Sequence, residues 1–410
     1  HLAKNLIYMN FSELHLHARC VDALTAQSIT TPTPIQDQAI PLVLKGGDVI
    51  AVAQTGTGKT LAYALPTIRR IVNASSKGTR MLILVPTREL CVQVYTVVRE
   101  MAKAANLTTT QVYGGVGYTE QTKDLRNGVD IVIATPGRLL DHIDRRNVNF
   151  KNISTLVLDE ADRMLDMGFL PDVTEIISYL PKKRQTLMFS ATFPDGIARL
   201  AKNMMHDPET ISIGMIAKPV ETVTQKVYAV LDERKPRLIA DILTEAKPES
   251  CMIFMRTKVR TEQVNMILKN KGWKVTQLHG DRSQGQRQQA LDGFRKGKYQ
   301  ILVATDVAAR GIDINGVSHV INYDIPLNPD DYIHRIGRTA RAEAKGDAYT
   351  LVTPAEFQAL GSIEKTLGYN IPRDEREDAP RVLSVFRPAG KKGGTTRTKA
   401  RRGRSLHRRR

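Results

Sequence analysis

The run Ala53-Gln54-Thr55-Gly56-Thr57-Gly58-Lys59-Thr60 follows an apolar stretch, Val49 to Ala53, and opens a helical pattern. Small residues let the backbone curl so that successive N–H groups point at phosphate oxygens. The N-terminus of the helix that follows adds partial positive charge. Lys59 is then placed to neutralise the β- and γ-phosphates, and the Thr60 hydroxyl to ligate Mg²⁺. The usual pattern opens on Gly where this chain has Ala53, so the strand–loop–helix context carries the assignment more than the bare spacing does. Further on, the apolar run Thr155 to Leu158 delivers Asp159-Glu160-Ala161-Asp162. A strand that ends in a carboxylate offers a second contact for the metal, made largely through water because Mg²⁺ sheds its hydration reluctantly. Asp159 takes that role, and the adjacent Glu160 is placed to orient and deprotonate a water in line with the γ-phosphate. Together these residues point to hydrolysis of a nucleoside triphosphate.

Residues of this kind need a scaffold that holds loops at one edge. The candidate strands are Val49 to Ala53, Met81 to Val85, Asp130 to Ala134, Thr155 to Asp159 and Thr186 to Ser190. A second series comprises Lys226 to Leu231, Ser250 to Met255, Lys274 to Leu278, Gln300 to Ala304, His319 to Asn322 and Ala348 to Val352. Most are apolar throughout, as strands covered on both faces of a parallel sheet require. Segments with helical spacing, such as Thr60 to Val72 and Glu262 to Lys271, lie between them. The economical reading is α/β: two tandem doubly wound parallel-sheet domains. The expected layout is a first domain over 9–212, a linker over 213–223, a second domain over 224–370 and a tail over 371–410.

The 410 residues include 60 Lys and Arg against 42 Asp and Glu, a formal net charge of +18. Hydrophobic content of 41% and charged content of 25% exclude a wholly disordered chain. Eleven of the surplus positive charges lie between Arg387 and Arg410 with no acid among them, leaving +7 for everything before. That Gly-rich tail has too few apolar side chains to repay its ordering entropy, so it is expected to be disordered and to grip polyanions without reading sequence. No apolar run is long enough to span a bilayer, so no membrane association is expected. Cys20, Cys91 and Cys251 are too far apart for a metal knuckle and read as reduced, buried thiols of a cytoplasmic protein.

The cradle, the acidic tetrad and the further tracts in order along the chain closely resemble the DEAD-box family of ATP-dependent RNA helicases, from about Phe11 to Val352, in a short, bacterial-type form. The resemblance implies two RecA-like domains with a cleft between them and ATP with Mg²⁺ as cofactors. Pro32-Thr33-Pro34-Ile35-Gln36 resembles the family's Q motif, with Phe11 as its upstream aromatic and Gln36 on the adenine edge. Ser28 and Ile29 stand where family members often have Gly and an aromatic. Pro86-Thr87-Arg88, Gly114-Gly115 and Thr135-Pro136-Gly137-Arg138 resemble RNA-backbone contacts, and Ser190-Ala191-Thr192 the tract that links hydrolysis to strand separation. In the second domain, Arg256, Gln284, Arg287 and Thr305 match RNA-contact positions, and Asp313 the contact to the ATP ribose. His334 belongs to the tract His334-Arg335-Ile336-Gly337-Arg338-Thr339-Ala340-Arg341, in which Ala340 replaces the family's usual Gly. Arg338 and Arg341 stand three apart, so on one helical turn they would share a face. They are the candidate arginine fingers reaching the γ-phosphate.

By this resemblance the chain is an ATP-dependent RNA helicase that couples RNA-stimulated hydrolysis to local unwinding of short duplexes or to RNP remodelling. The alternative is a nucleotide-gated RNA clamp or annealing factor. The expected partner is single-stranded and short duplex RNA, with weak sequence preference. The chain itself is expected to be monomeric, and ribosome-assembly or RNA-decay proteins are further partner candidates.

Overall fold

The computed structural model describes residues 10–374, except 55, 214–222, 310, 311, 313, 315 and 340–345. Met9, most of the expected linker, Thr55, Asp313, Arg341 and residues 375–410 of the tail lie outside the described residues.

Two seven-stranded sheets form, every strand pair parallel. The first contains β1 (Val49–Val52), β2 (Met81–Leu84), β3 (Thr109–Val112), β4 (Ile131–Ala134), β5 (Thr155–Asp159), β6 (Gln185–Ser190) and β7 (Glu209–Ser212), in the order β3-β4-β2-β5-β6-β1-β7. The second contains β8 (Val223–Ala229), β9 (Cys251–Met255), β10 (Val275–Leu278), β11 (Ile301–Thr305), β12 (His319–Asn322), β13 (Gly346–Val352) and β14 (Arg373–Asp374), in the order β10-β11-β9-β12-β13-β8-β14. Counted from its own first strand, each sheet has the same order, so the chain is a tandem repeat of one topology.

Alternate residues of each central strand feed opposite cores. Met81 and Ile83 of β2 join the cluster under the helices Pro34–Lys45, Lys59–Val72 and Arg88–Ala104, whereas Leu82 and Leu84 join the one on the other face. In β9, Ile253 and Met255 face one core and Met252 and Phe254 the other. Burying both faces removes the polar alternation of a half-exposed strand, which is why these runs read as continuous apolar segments. All three cysteines are buried thiols. No helix among the described residues is long and apolar enough to cross a membrane.

The pattern misses β3, β7 and β14. β3 is polar in three of its four residues and half-exposed, β7 is an edge strand with one buried residue, and β14 is two residues long. The last also corrects the expected boundary at residue 370, because Ile371 is buried and Arg373 and Asp374 pair with Val227 and Tyr228 of β8.

Candidate active site at the seam of the two domains

Helix Lys59–Val72 begins where Gly58 turns into the left-handed region, at φ 91°. A Cβ on Gly58 would run into the Gln36 side-chain amide, so both the turn and the close approach call for glycine. The loop is tied back by the Thr57 hydroxyl, which donates to Gln54 O at 2.7 Å, and by Ala53 N, which donates to Ser190 O at 2.9 Å. Gln36 clamps it from the side: its Nε2 donates to Gly58 O at 3.0 Å, and its Oε1 accepts from Thr33 N at 2.9 Å. The amide assigned to the adenine edge is thus engaged at both ends, with the phosphate loop through Nε2 and with the cap of its own helix through Oε1. Phe11 sits apart from the loop. It is 2% exposed in the apolar core of the first domain and does not line the cleft.

Lys59 is 6% exposed, and its Nζ has no hydrogen-bond partner among the described residues. Asp159, at the end of β5, accepts from the Tyr63 hydroxyl through Oδ2 at 2.9 Å, while its Oδ1 has no partner. Burial pushes the Asp159 carboxyl up to about 6, with Glu160 adding to the rise and Lys59 and the Tyr63 hydrogen bond opposing it. A buried cation and a buried carboxylate oxygen, each left open, match a phosphate and a divalent metal in charge and hydrogen-bonding capacity. Thr60 and Asp159 are the residues that would hold Mg²⁺. Tyr63 has no motif to announce it. Only its place one turn after Lys59 on the same helix suggests that it faces the site.

Glu160 sits at φ 55°, a left-handed conformation rare for a residue with a side chain, and its Oε2 lies 2.9 Å from Arg163 Nη1. Asp162 joins the tetrad to Ser190-Ala191-Thr192. Its Oδ2 accepts from Ala191 N at 3.1 Å, Thr192 N at 2.8 Å and the Thr192 hydroxyl at 2.9 Å, while Asp162 N donates to the Ser190 hydroxyl at 3.1 Å.

Across from this face stands the second domain. A cleft of about 550 Å³ is lined by Gly56, Lys59, Thr60, Asp159 and Glu160 on one side and by Leu291, Ile312 and Arg338 on the other. Arg338 is buried, its Nη1 donating to Ile312 O at 2.6 Å. Arg338 lies in a turn just past a helix, its N–H bonded to Arg335 O at 3.1 Å, and Arg341, with which it is expected to share a face, lies outside the described residues. The helix Pro329–Ile336 stops at Gly337, and the Thr339 hydroxyl donates to Val317 O at 2.6 Å, drawing the chain into a bridge with Val317. His334, on that helix, is held below the ordinary imidazole range by burial and by Arg163 of the first domain.

The tracts assigned to RNA lie at the C-terminal edges of both sheets. Pro86 and Thr87 are buried after β2, with Thr87 capping the helix Arg88–Ala104. Arg88 is exposed against Gly114 and Gly115, where a Cβ on Gly115 (φ 85°) would strike its guanidinium. Thr135 and Pro136 start a helix after β4, and Gly137 is exposed beside them. Arg138 is half-buried, donating to Val116 O at 3.0 Å and lying over the Tyr118 ring at 4.1 Å. In the second domain Thr305 closes β11, and Gln284 begins the helix Gln284–Arg295 with its Oε1 enclosed and unpartnered. Arg256 is exposed and bonds Glu356 at 2.7 Å. Arg287 departs from its assignment. It is buried, with Nε 2.7 Å from Glu89 Oε1 of the first domain and its remaining nitrogens on His279 O and Ala308 O. With the guanidinium so committed, Arg287 joins the domains rather than presenting charge to a strand.

A phosphate-cradling loop, a metal-ready carboxylate beside it and an arginine facing both from a second copy of the sheet define a tandem RecA-like nucleoside triphosphatase. Residues 33–200 match the DEAD/DEAH box helicase family and residues 234–343 the helicase conserved C-terminal domain. An ATP-dependent RNA helicase, CshA, from Listeria monocytogenes is 43% identical over 356 residues, covering 87% of this chain and 68% of that protein. The chain belongs to the DEAD-box family of ATP-dependent RNA helicases. Among solved structures, S. cerevisiae Dbp5 bound to RNA and ADP BeF3 superposes with a TM-score of 0.80 at 32% identity, over 92% of this chain and 98% of that one. A DEAD box protein from the hyperthermophile Methanococcus jannaschii is 38% identical over 90% of this chain and 99% of its own, yet superposes at only 0.52. Whole-chain structural similarity thus does not rank with sequence identity.

Proposed function

We propose that this helicase uses ATP and RNA to hold its domains together, and that hydrolysis lets them part. The proposed outcome is local unwinding of short RNA duplexes or remodelling of RNA–protein complexes in a reducing cytoplasm. The observation that carries this reading is the two-sided cleft, with the open Lys59 Nζ and Asp159 Oδ1 on one wall and Arg338, bonded to Ile312 O, on the other. Mg²⁺, when bound at Thr60 and Asp159, would spread the charge building on the phosphates. Lys59 would bind the phosphates, Glu160 would take the proton of the attacking water, and Arg338, with Arg341 after it, would meet charge on the γ-phosphate. Each ligand then favours the closed arrangement, so ATP and RNA bind cooperatively through one shared equilibrium. Arg88, Arg138, Arg256 and the exposed backbone of Gly115 and Gly137 suit phosphate and ribose contacts, which give grip without base identity. The arrangement matches the Dbp5 complex with RNA and ADP BeF3, which supports the same partners here.

The deciding measurement is release of a short RNA duplex alongside phosphate production, with RNA and DNA of one sequence as activators. RNA-stimulated hydrolysis with duplex release is the expected result. Hydrolysis with no release would favour a clamp or annealing factor, and equal stimulation by DNA would overturn the RNA assignment. Deleting 387–410 is expected to weaken RNA affinity and flatten its salt dependence while sparing hydrolysis without RNA.

A further inference from the structure

Arg163 follows the acidic tetrad on the short helix Ala161–Asp166, where an arginine would ordinarily reach solvent. Instead its side chain is 5% exposed, and Nη1 lies 2.9 Å from Oε2 of an equally enclosed Glu160. Its backbone N–H is also taken, by Glu160 O at 3.0 Å and Asp162 Oδ1 at 3.0 Å. Glu160 holds a left-handed backbone, a conformation that persists only where the surroundings over-determine it. On its other side Arg163 shares a small cavity with Phe254, Asp306, Asp331 and His334, all from the second domain. Arg163 is also among the charges that hold the His334 imidazole low, in keeping with that proximity. Arg163 does not line the nucleotide cleft, whereas Glu160 does.

We propose that Arg163 is a positioning residue, one that fixes the Glu160 carboxylate for proton abstraction when the second domain is docked against it. The proposal rests on Glu160 acting as the base. With the domains apart, an Arg–Glu pair in contact with water contributes little and fixes little. With the second domain in place the pair loses its water, its geometry becomes definite and the carboxylate acquires one orientation. Domain closure, favoured by RNA, is thereby converted into alignment of the base, and a misplacement of the order of 1 Å at such a group costs about 10²-fold in rate.

The test uses the full chain with Arg163→Gln and Arg163→Lys. Arg163→Gln is expected to lower the RNA-stimulated kcat by about 10- to 100-fold while the ATP KM and the ADP affinity stay within about twofold, since only alignment is lost. Arg163→Lys keeps the cation but loses the planar fork, and is expected to fall about 3- to 10-fold in kcat with the same unchanged affinities. A thermal melt of each variant establishes that it is folded, and if Arg163→Gln is not, Arg163→Lys alone decides. Parent-like kcat in the folded variants overturns the role of Arg163, as does a fall in kcat matched by an equal loss of ADP affinity. Failure of the underlying reading looks different: the unaltered chain would show no stimulation by RNA, or Glu160→Gln would leave hydrolysis intact.

Discussion

Two lysines occupy the same place in the two copies of the topology. Lys59 begins the helix after β1, the first strand of its sheet, and Lys235 begins the helix Lys235–Ala246 after β8, the first strand of the other. Both are buried. Lys59 Nζ has no partner among the described residues, whereas Lys235 Nζ donates to Tyr323 O at 2.9 Å and lies 3.3 Å from Glu356 and 3.5 Å from Asp324. Asp324 also takes Arg260 at 2.7 Å, and Arg256 closes the group onto Glu356. One fold position is therefore left open in the first domain and taken up by an internal ion network in the second. The difference lies in what surrounds the ammonium. Glycines at positive φ leave an open, donor-rich loop around Lys59, and carboxylates from distant strands and turns close around Lys235. A buried charge without a partner is costly and marks a place where a ligand completes the shell. A buried charge enclosed by its partners stabilises only the fold around it.

The comparison breaks most visibly at Lys59. Lys59→Ala is expected to reduce RNA-stimulated ATP hydrolysis by on the order of 10³-fold, the scale of losing a central charge stabiliser, while thermal stability does not fall. Phosphate release and a melting curve on the same sample check both halves, and a large drop in stability would show that Lys59 is structural like its counterpart. Lys235→Met should give the reverse: about 1–3 kcal/mol less stability, because Tyr323 O loses its donor and Asp324 and Glu356 keep only Arg260 and Arg256 as cations, with ATP affinity unchanged under conditions where the variant is folded. Denaturant unfolding measures the loss, and a stable Lys235→Met with weakened ATP binding would erase the distinction.

The seam itself sharpens the contrast. Arg287→Gln strands Glu89 and is expected to weaken the ATP–RNA coupling by about 2–3 kcal/mol, the lower range for breaking a buried interdomain pair, without lowering the unfolding midpoint of the first domain. Titrating RNA with and without a non-hydrolysable nucleotide reads the coupling directly. A comparable effect, on stability alone and only above the acid range, is expected at Asp159. Its folded carboxyl titrates at about 6, above the ordinary value of 3.8, so the native state holds that proton more tightly than the unfolded chain. The stabilisation from this group is full below about pH 4 and lost as pH rises through 6. Asp159→Asn keeps the acceptor for Tyr63 without the charge. Free of nucleotide and metal it should match the parent near pH 4 and exceed it by up to roughly 3 kcal/mol above pH 7. Unfolding at several pH values checks this, and an offset that does not vary with pH would dissociate the effect from ionisation.

Local chemistry made much of the molecule readable in advance. The short continuous apolar runs of β2 and β4, and the apolar centres of β5 and β6, identify themselves as strands buried on both faces. The loop from Gln54 to Thr60 and the acid at the end of β5 are also local, since backbone geometry and strand polarity dictate them. Edge strands such as β7 lack the signal because solvent on one side accepts any polar side chain. Residues read by spacing alone went further astray. Arg338 left the helix because Thr339 is captured by Val317, a partner 22 residues earlier that no local pattern reveals.

Sequence alone determined the repeated α/β plan, the family and the order of the phosphate, acid and arginine tracts, since each follows from neighbours along the chain. Tertiary structure decided which charges remain open and which are spent. It set Lys59 apart from Lys235, turned Arg287 onto Glu89, sank Phe11 into the core and placed Arg163 between Glu160 and the opposite domain. The physical reason is that desolvation and pairing depend on groups brought together from remote elements, and spacing along a chain carries no record of them.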